Sequence, residues 1–327
     1  SAVAGIQAIM YPSRAISLIS NPLTTIFVPF VALDIAGIIL GLINHAIPAK
    51  VITWQTIEIL FFMYIVISLL ICIPLILKWY DKRHDINTFS PAWAFLLFPL
   101  MLVGVVASRV LSVIPLHSYS AVRVLFLGYF FQGLGTSMTF FYLPIYLSRI
   151  MQTGFMEGHQ ANGAFVAGGP PGFTAVALIG LGRLAPTIFK ENYLHEILTE
   201  EVGQVFFGIG VLSGIFLLGL CLILFLMAVI PYYKKLHKSL NQVLGMWATT
   251  FPNVGMTVTL RLLGDLFRSK ILYVVQDIMT LFVCCAYVVA FSCTFLAIYK
   301  GKILLSSKEE VARDSSRVDV GDASELA

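Results

Sequence analysis

The amino-acid sequence predicts an all-α membrane protein. Hydrophobic residues make up 58% of the 327 residues and charged residues only 12%, and the mean hydropathy is +0.90. Soluble domains carry about 25% charged residues. A hydrocarbon core about 30 Å thick requires about 20 apolar residues in helix, and eight segments reach that length. The predicted spans are residues 22–44, 54–78, 91–114, 121–148, 161–184, 203–231, 243–262 and 271–299.

The placement of lysine and arginine predicts the orientation of these spans, because short cytosolic loops retain positive charge. With the amino end inside, the cytosolic side holds Lys78, Lys82, Arg83, Arg149, Lys234, Lys235, Lys238, Lys300 and Lys302. The outer side then holds mainly Lys50, Lys190, Arg268 and Lys270. Both termini are therefore predicted to be cytosolic. Residues 1–300 form a single membrane domain, and the polar residues 301–327 form a disordered cytosolic tail.

The sequence predicts no enzyme active site, no metal site, no cofactor and no nucleic-acid partner. All six histidines fall in loops or at span ends, without the spacing of metal ligands. The five cysteines lie inside apolar spans and are predicted to be small packing residues. The net charge of +4 follows from the cytosolic lysines and arginines. The expected partners are membrane lipid and a transported solute.

Prolines fall in the interior of the odd-numbered spans and near the ends of the even-numbered ones. A proline in a helix interior removes a backbone hydrogen bond and costs about 3 kcal/mol, and in lipid the freed carbonyls find no water. The alternation predicts that odd-numbered spans line a pathway and even-numbered spans shield them; prolines that merely kink packed helices are the alternative. Interior prolines of the odd spans are Pro29, Pro99, Pro170, Pro171 and Pro252, whereas Pro74 and Pro144 lie near the ends of even spans.

The fifth span carries the strongest break, at Pro170 and Pro171. A half-helix that starts inside the membrane presents unpaired N–H groups and the positive end of its dipole, which suits an anion. Gly168 and Gly169 carry no side chain and widen the path beside the break. The sequence therefore predicts an anion pathway at this level of the membrane.

Four motifs in a fixed order carry a family resemblance: SPAWAFLLFPLMLVGVVA, FFQGLG, GGPPGFTAVALIGLGR and GMWATTFPNVGMT. Together they resemble the tellurite-resistance/dicarboxylate transporter family of the voltage-dependent anion channel superfamily, and within it the fungal malic acid permease branch. The resemblance extends over about residues 10 to 300. It implies a fold of ten helices, with the odd helices around a central pore and the even helices outside, often assembled as a homotrimer. Residues 1–327 are expected to lack the first helix of that fold and most of the second.

The resemblance implies transport of malate or a related dicarboxylate anion across the plasma membrane. A small inorganic anion channel or a sulfite efflux pump of the same family is the alternative. A second alternative, suggested by the short amino end, is a truncated remnant that does not transport.

A phenylalanine is the predicted gate. In the anion-channel members of the family a phenylalanine plugs the pore, and Phe251 of WATTFPNVG occupies the matching position. An aromatic ring is a suitable plug because it offers no hydrogen bonds to an ion that has lost its water. Phe98, directly before Pro99, repeats the Phe-Pro pair and is predicted to add a second ring. The alternative for Phe251 is a packed core side chain.

Arginines near the outer ends of odd spans are the predicted substrate contacts. Arg109, Arg183 and Arg261 occupy such positions, and guanidinium groups can bind carboxylates bidentately. Arg183 matches a position of the malate permeases. The alternative is that each arginine reaches the interface or pairs locally, as Arg261 could with Asp265 four residues on.

Smaller polar side chains complete the prediction. Thr174, Asn253 and Thr257 lie within a turn of the proline breaks and are predicted to replace part of an anion's hydration shell. Gln132 and Asp34 also lie inside spans. These two are predicted to tie helices together, as buried polar groups commonly do in membranes.

Overall fold

The computed structural model describes residues 29–81, 83–156, 158–192, 196–235 and 240–300 of the chain. Within these residues the backbone forms helices and no β-strand. The α-helices are α1 (Phe30–His45), α2 (Trp54–Tyr80), α3 (Phe98–Val110), α4 (Tyr119–Thr153), α5 (Gly169–Asn192), α6 (Glu200–Lys235), α7 (Phe251–Phe267) and α8 (Lys270–Tyr299). Short 3-10 helices occupy Ile86–Thr88, Pro91–Leu96, Gly158–Gly168 and Leu240–Thr249.

The predicted class, an all-α membrane protein, is confirmed. Five helical segments of the described chain are long and apolar enough to cross a membrane: Trp54–Tyr80, Tyr119–Thr153, Ala161–Asn192, Glu200–Pro231 and Lys270–Tyr299. Phe30–His45 and Phe98–Val110 are shorter apolar helices. Each predicted span contains one α-helix. Residues 22–28 of the first span and the predicted tail at 301–327 lie outside the described residues.

Three odd-numbered spans change helix type partway along. In each, a 3-10 helix runs up to the proline break and an α-helix continues beyond it, so the third, fifth and seventh spans each consist of two pieces. Pro99 and Pro252 are the second residues of α3 and α7, and Pro170 and Pro171 are the second and third residues of α5. Proline is tolerated there because the first-turn N–H groups have no intrahelical acceptor.

The prolines of the even helices, and Pro186 of α5, lie inside continuous helices and not at helix starts. Pro74 and Pro144 were predicted near span ends, but α2 and α4 extend past them, so both lie inside continuous helices. Pro186 of α5 and Pro231 of α6 also lie inside their helices. Only the prolines in the first turn of α3, α5 and α7 therefore mark a change from 3-10 helix to α-helix.

Burial separates inner helices from outer ones. Every residue of α3 except Arg109 is buried, and α5 is buried nearly all round over its first half. By contrast, α2, α4, α6 and α8 each bury one face and expose large apolar side chains on the other. A helix that is apolar all round belongs in the core, and an apolar exposed face suits lipid. Thus α3 and α5 lie at the centre of the described bundle.

Helix α7 belongs with α3 and α5 among the inner helices, because it approaches α5 closely at glycines. A Cβ placed on Gly172 of α5 would lie 2.9 Å from the backbone nitrogen of Met256, and one on Gly255 of α7 would lie 2.7 Å from that of Phe173. The Thr259 hydroxyl donates across this crossing to the Gly172 carbonyl oxygen, at 3.1 Å. Small residues and interhelical hydrogen bonds are the usual basis of close packing in membranes. The breaks in α5 and α7 are thereby held side by side.

Candidate functional site

Three phenylalanine rings meet where the inner helices begin. The ring centroids of Phe98 and Phe173 are 5.7 Å apart, those of Phe98 and Phe251 are 5.5 Å apart, and those of Phe173 and Phe251 are 5.1 Å apart. Phe98 is 1% exposed and Phe173 is 5% exposed, whereas Phe251 is half-buried. We call these three residues the aromatic cluster. Centroid separations of this size are the favourable range for aromatic pairs.

The aromatic cluster continues towards α1. Phe95 lies 5.3 Å from Phe98 between ring centroids, and Phe30, the first residue of α1, lies 4.7 Å from Phe95. Each of the helices α1, α3, α5 and α7 thus contributes a ring from its first or second turn. The amino ends of these helices therefore lie at one level of the bundle.

The predicted glycines and prolines surround the aromatic cluster. A Cβ on Gly169 would lie 3.1 Å from Cβ of Pro252 and 3.2 Å from a ring carbon of Phe98, so a larger side chain would displace the ring or the proline. At Gly168 the nearest atom to such a Cβ would be the carbonyl oxygen of Cys221, at 3.8 Å, which is an ordinary contact. A side chain at position 169 would therefore crowd the cluster, whereas a Cβ at position 168 would be accommodated.

The structure brings the residues predicted as a gate to the three breaks and adds a ring, Phe173, that sequence reasoning missed. Phe173 was not predicted, because it follows its proline pair instead of preceding a proline as Phe98 and Phe251 do. The available signal was its position in the first turns of α5, two residues after Pro171. The gate residues predicted from the sequence are Phe251, Phe98, Pro99, Gly168, Gly169, Pro170, Pro171 and Pro252.

Outer helices supply hydrogen bonds to carbonyls at the breaks. The Tyr142 hydroxyl of α4 donates to the carbonyl oxygen of Ala167, at 2.5 Å. The Cys221 thiol of α6 donates to the carbonyl oxygen of Gly168, at 3.3 Å. The Tyr64 hydroxyl of α2 donates to the carbonyl oxygen of Pro99, at 2.5 Å. In a membrane, such protein donors replace or supplement the helical partners of carbonyls at a break.

The small polar residues near the breaks use their donors locally. The Thr174 hydroxyl donates to the Pro170 carbonyl oxygen at 2.7 Å, and the Asn253 amide nitrogen donates to the Thr249 carbonyl oxygen at 2.9 Å. The Thr257 hydroxyl donates to the Asn253 carbonyl oxygen at 3.1 Å. Thr174 and Asn253 are buried and Thr257 is half-buried. In this structure the three side chains stabilise the first turns beyond the breaks.

Gln132 ties α4 to the inner helices. Its amide nitrogen donates to the hydroxyl oxygens of Thr174, at 2.9 Å, and Thr136, at 3.2 Å. Its amide oxygen is buried without a hydrogen-bond partner, and a Cβ on Gly104 of α3 would lie only 2.5 Å from it. The predicted structural role of Gln132 therefore agrees with its contacts. Asp34, the other residue predicted to tie helices, has an exposed side chain on α1.

The three predicted arginines lie on α3, α5 and α7 and have different partners. Arg109 Nη2 donates to Asn44 Oδ1 at 2.9 Å, which links α3 to α1. Arg261 Nε lies 3.2 Å from Asp265 Oδ1, as the local-pairing alternative predicted. Arg183 is exposed, and its side chain has no hydrogen bond or ion pair within the described residues. We call Arg109, Arg183 and Arg261 the arginine layer.

The fold and the site define a class: a polytopic α-helical membrane protein whose inner helices are broken at one level, where aromatic rings from three of them meet. The chain belongs to the voltage-dependent anion channel (SLAC1) family, whose sequence model matches residues 1–295. It is therefore an integral membrane protein of an anion-transporting family.

Two curated proteins of Schizosaccharomyces pombe are similar along most of their length. The malic acid transport protein is 25% identical over 318 residues, which cover 96% of this chain and 71% of that protein. A second protein, described only provisionally as a malic acid transport protein, is 26% identical over 314 residues, which cover 92% of this chain and 70% of that protein. No solved structure matches the chain significantly.

Proposed function

We propose that the chain transports malate or a related dicarboxylate anion through a pore between its inner helices, and that the aromatic cluster is the gate of this pore. The observation that carries the proposal is the meeting of Phe98, Phe173 and Phe251 at the amino ends of three inner helices. The names of the two similar proteins, both of which concern malic acid transport, support the choice of substrate.

The aromatic cluster can act as a gate because its rings carry no hydrogen-bonding groups. An anion that passes this level must lose part of its hydration shell, and phenylalanine offers no hydrogen bond in exchange. Directly beyond the rings, the amino ends of α3, α5 and α7 supply partial positive charge, which favours an anion. Conduction therefore requires the rings to move, while the helix ends provide the favourable contact on passage.

The arginine layer supports a dicarboxylate as substrate. Arg109 and Arg261 are eleven and ten residues beyond the cluster rings of their helices, and Arg183 is ten residues beyond Phe173. At a rise of about 1.5 Å per residue, all three lie about 15 Å from the gate along the helix axes. A layer of guanidinium groups at one height can engage both ends of a dicarboxylate.

A small inorganic anion, or sulfite leaving the cell, remains the second candidate, and one observation favours it. Arg109 is bonded to Asn44 and Arg261 is paired with Asp265, so within the described residues only Arg183 of the arginine layer lacks a partner. One available guanidinium does not by itself favour two carboxylates over a monovalent anion. Flux ratios between malate and chloride separate the two candidates.

We also propose an orientation, a membrane location and an assembly for the transporter. The basic residues in the loops that follow even-numbered spans support cytosolic termini, and the family resemblance supports the plasma membrane and a homotrimer. Exposed apolar side chains on α2, α4 and α8 offer surfaces for lipid or for neighbouring protomers. Residues 1–300 act as one membrane domain in this proposal.

The gate is tested with Phe251→Ala and a matched control, Phe282→Ala. Both side chains are half-buried with aromatic neighbours, but Phe282 lies on α8 and pairs with Phe225 instead of the cluster. Labelled malate and chloride fluxes are measured in proteoliposomes and normalised to folded protein. We expect Phe251→Ala to raise passive flux several-fold and Phe282→Ala to leave it unchanged.

The contrary result is equally specific. A packed phenylalanine that has no gating role leaves a cavity worth about 3 to 5 kcal/mol and lowers the yield of folded protein. Unchanged or reduced flux in Phe251→Ala at normal yield would show that the aromatic cluster is not the gate.

A further inference from the structure

Ala167 has an exceptional position at the break before α5. A carbonyl in a 3-10 or α-helix accepts from the N–H group three or four residues later. For Ala167 these two residues are Pro170 and Pro171, and neither has an N–H group. The proline pair therefore removes both regular donors from a single carbonyl oxygen in the middle of a membrane-spanning segment.

The Tyr142 hydroxyl occupies the place of those missing donors. It donates to the Ala167 carbonyl oxygen at 2.5 Å, and the Tyr142 side chain is 0% exposed. Without this hydroxyl the carbonyl would be left without a partner in a site closed to water, and a buried unpaired carbonyl costs about 1 to 3 kcal/mol. The bond is therefore a fixed point for the backbone just before α5.

The same stretch of backbone sets the position of the aromatic cluster. Gly169, two residues after Ala167, packs against the Phe98 ring and Pro252, and Phe173 in the following turn stacks on Phe251. A shift of the break moves both contacts at once, because the 3-10 segment and the first turn of α5 are continuous.

We propose that Tyr142 is a positioning residue of the gate: its hydroxyl replaces the backbone donor that the proline pair removes, and so holds the first turn of α5 against the rings. This inference rests on the proposed function only in taking the aromatic cluster as the gate. Tyr142 belongs to α4, an outer helix that contributes no ring to the cluster. Through this hydrogen bond a residue of the outer layer acts on the conducting path.

Tyr64 provides the matched control. It is also a tyrosine with 0% exposure on an outer helix, and its hydroxyl donates to the carbonyl oxygen of Pro99 at 2.5 Å. Pro99, however, is followed four residues later in α3 by Val103, whose N–H group supplies the regular helical bond. Removal of the Tyr64 hydroxyl leaves that carbonyl with a partner, whereas removal of the Tyr142 hydroxyl does not.

The test is a double-mutant cycle between Tyr142→Phe and Pro171→Ala in the full chain. Pro171→Ala returns a backbone N–H group four residues beyond Ala167, where a helical bond can form. Two quantities are measured: the apparent Tm of the purified protein and passive malate flux in proteoliposomes, per folded protein. We expect Tyr142→Phe to lower Tm and raise flux about tenfold, which corresponds to about 1.4 kcal/mol.

In the Pro171→Ala background the same Tyr142→Phe change should have less than half of each effect, since the restored N–H group takes over the carbonyl. Tyr64→Phe should have a clearly smaller effect than Tyr142→Phe. If Tyr142→Phe alone gives no folded protein, the yield of the double variant is the readout: recovery supports the proposal, and failure of both overturns it.

Three results would overturn the inference: wild-type behaviour of Tyr142→Phe, equal effects in both backgrounds, or equal effects of Tyr64→Phe and Tyr142→Phe. Rescue of Tm without rescue of flux would overturn the assignment to the gate. The Tm measurement needs no transport, so a failure of the proposed function, seen as unchanged flux in Phe251→Ala, is recognised separately from a failure of the Tyr142 bond.

Discussion

Gly172 and Gly255 show how single residues set the geometry of the inner helices. Each would place a Cβ within 2.7 to 2.9 Å of backbone atoms in the opposite helix, a distance at which backbone must shift. Backbone cannot rotate out of the way as a flexible side chain can. The spacing of α5 and α7, and with it the stacking of Phe173 on Phe251, therefore depends on these positions having no side chain.

At this scale we predict that Gly255→Ala destabilises the protein and changes its passive flux, while Gly219→Ala does neither. Overpacking of a tight contact costs about 1 to 3 kcal/mol, and here the contact is with the Phe173 backbone. A Cβ on Gly219 of α6 would meet nothing within 4 Å, so the substitution gains only helix propensity. Apparent Tm and anion flux of the two variants check this, and equal Tm values would contradict it.

The amino ends of α3, α5 and α7 meet at the aromatic cluster, and this meeting aligns the three helices along their axes. Because α3, α5 and α7 each carry a ring of the aromatic cluster near their amino ends, residues ten or eleven positions after those rings fall at about the same height. The arginine layer is a consequence of this alignment. Its members differ in availability, since Asn44 and Asp265 hold Arg109 and Arg261.

We predict that Arg183→Gln reduces malate uptake more than chloride flux, because a dicarboxylate makes a second charged contact that chloride does not. Exposed ion pairs contribute about 0 to 1 kcal/mol, so the expected reduction in malate uptake is at most about fivefold. Arg268→Gln is the control, as Arg268 is an exposed cation beyond the end of α7 and outside the arginine layer. Equal losses for both anions would remove Arg183 as a dicarboxylate contact.

The molecule as a whole has two distinct ends. At one end the Asn192 amide, at the end of α5, donates to the carbonyl oxygen of Leu116 in the α3–α4 loop at 2.8 Å. At the other end, Arg149 Nη2 of α4 donates to the carbonyl oxygen of Asn87 at 2.9 Å. These contacts group the loops into the same two sets that the distribution of lysine and arginine predicts.

We predict that single cysteines at Lys50 and Lys190 react with an impermeant thiol reagent from outside intact cells, and that those at Arg83 and Lys300 react only after permeabilisation. The physical reason is the retention of positive charge on the cytosolic side. Reversed labelling would place the arginine layer at the cytosolic face. The labelling is done in a variant in which the three cysteines of α8, Cys284, Cys285 and Cys293, are replaced.

The positions of the helices and of their breaks could be predicted from the sequence more completely than the contacts between the helices. Hydropathy located the spans, and Pro99, Pro170 and Pro252 marked where α-helices start, because both properties are local. The 3-10 pieces before those prolines could not be foreseen, since a choice between bonding three or four residues back depends on packing. Phe173 and Tyr142 were missed for the same reason: their roles exist only once α4, α5 and α7 are brought together.

The Tyr142 bond also implies an order of events during synthesis. The chain is made from its amino end, so α4 enters the membrane before α5 and its hydroxyl is already present when the proline pair arrives. The neighbouring Gly168 carbonyl receives its hydrogen bond from Cys221, which lies in α6 and is synthesised later. The Ala167 carbonyl, which has no regular backbone donor, is thus the one whose partner is inserted first, and this segment can leave the insertion machinery with that carbonyl already paired.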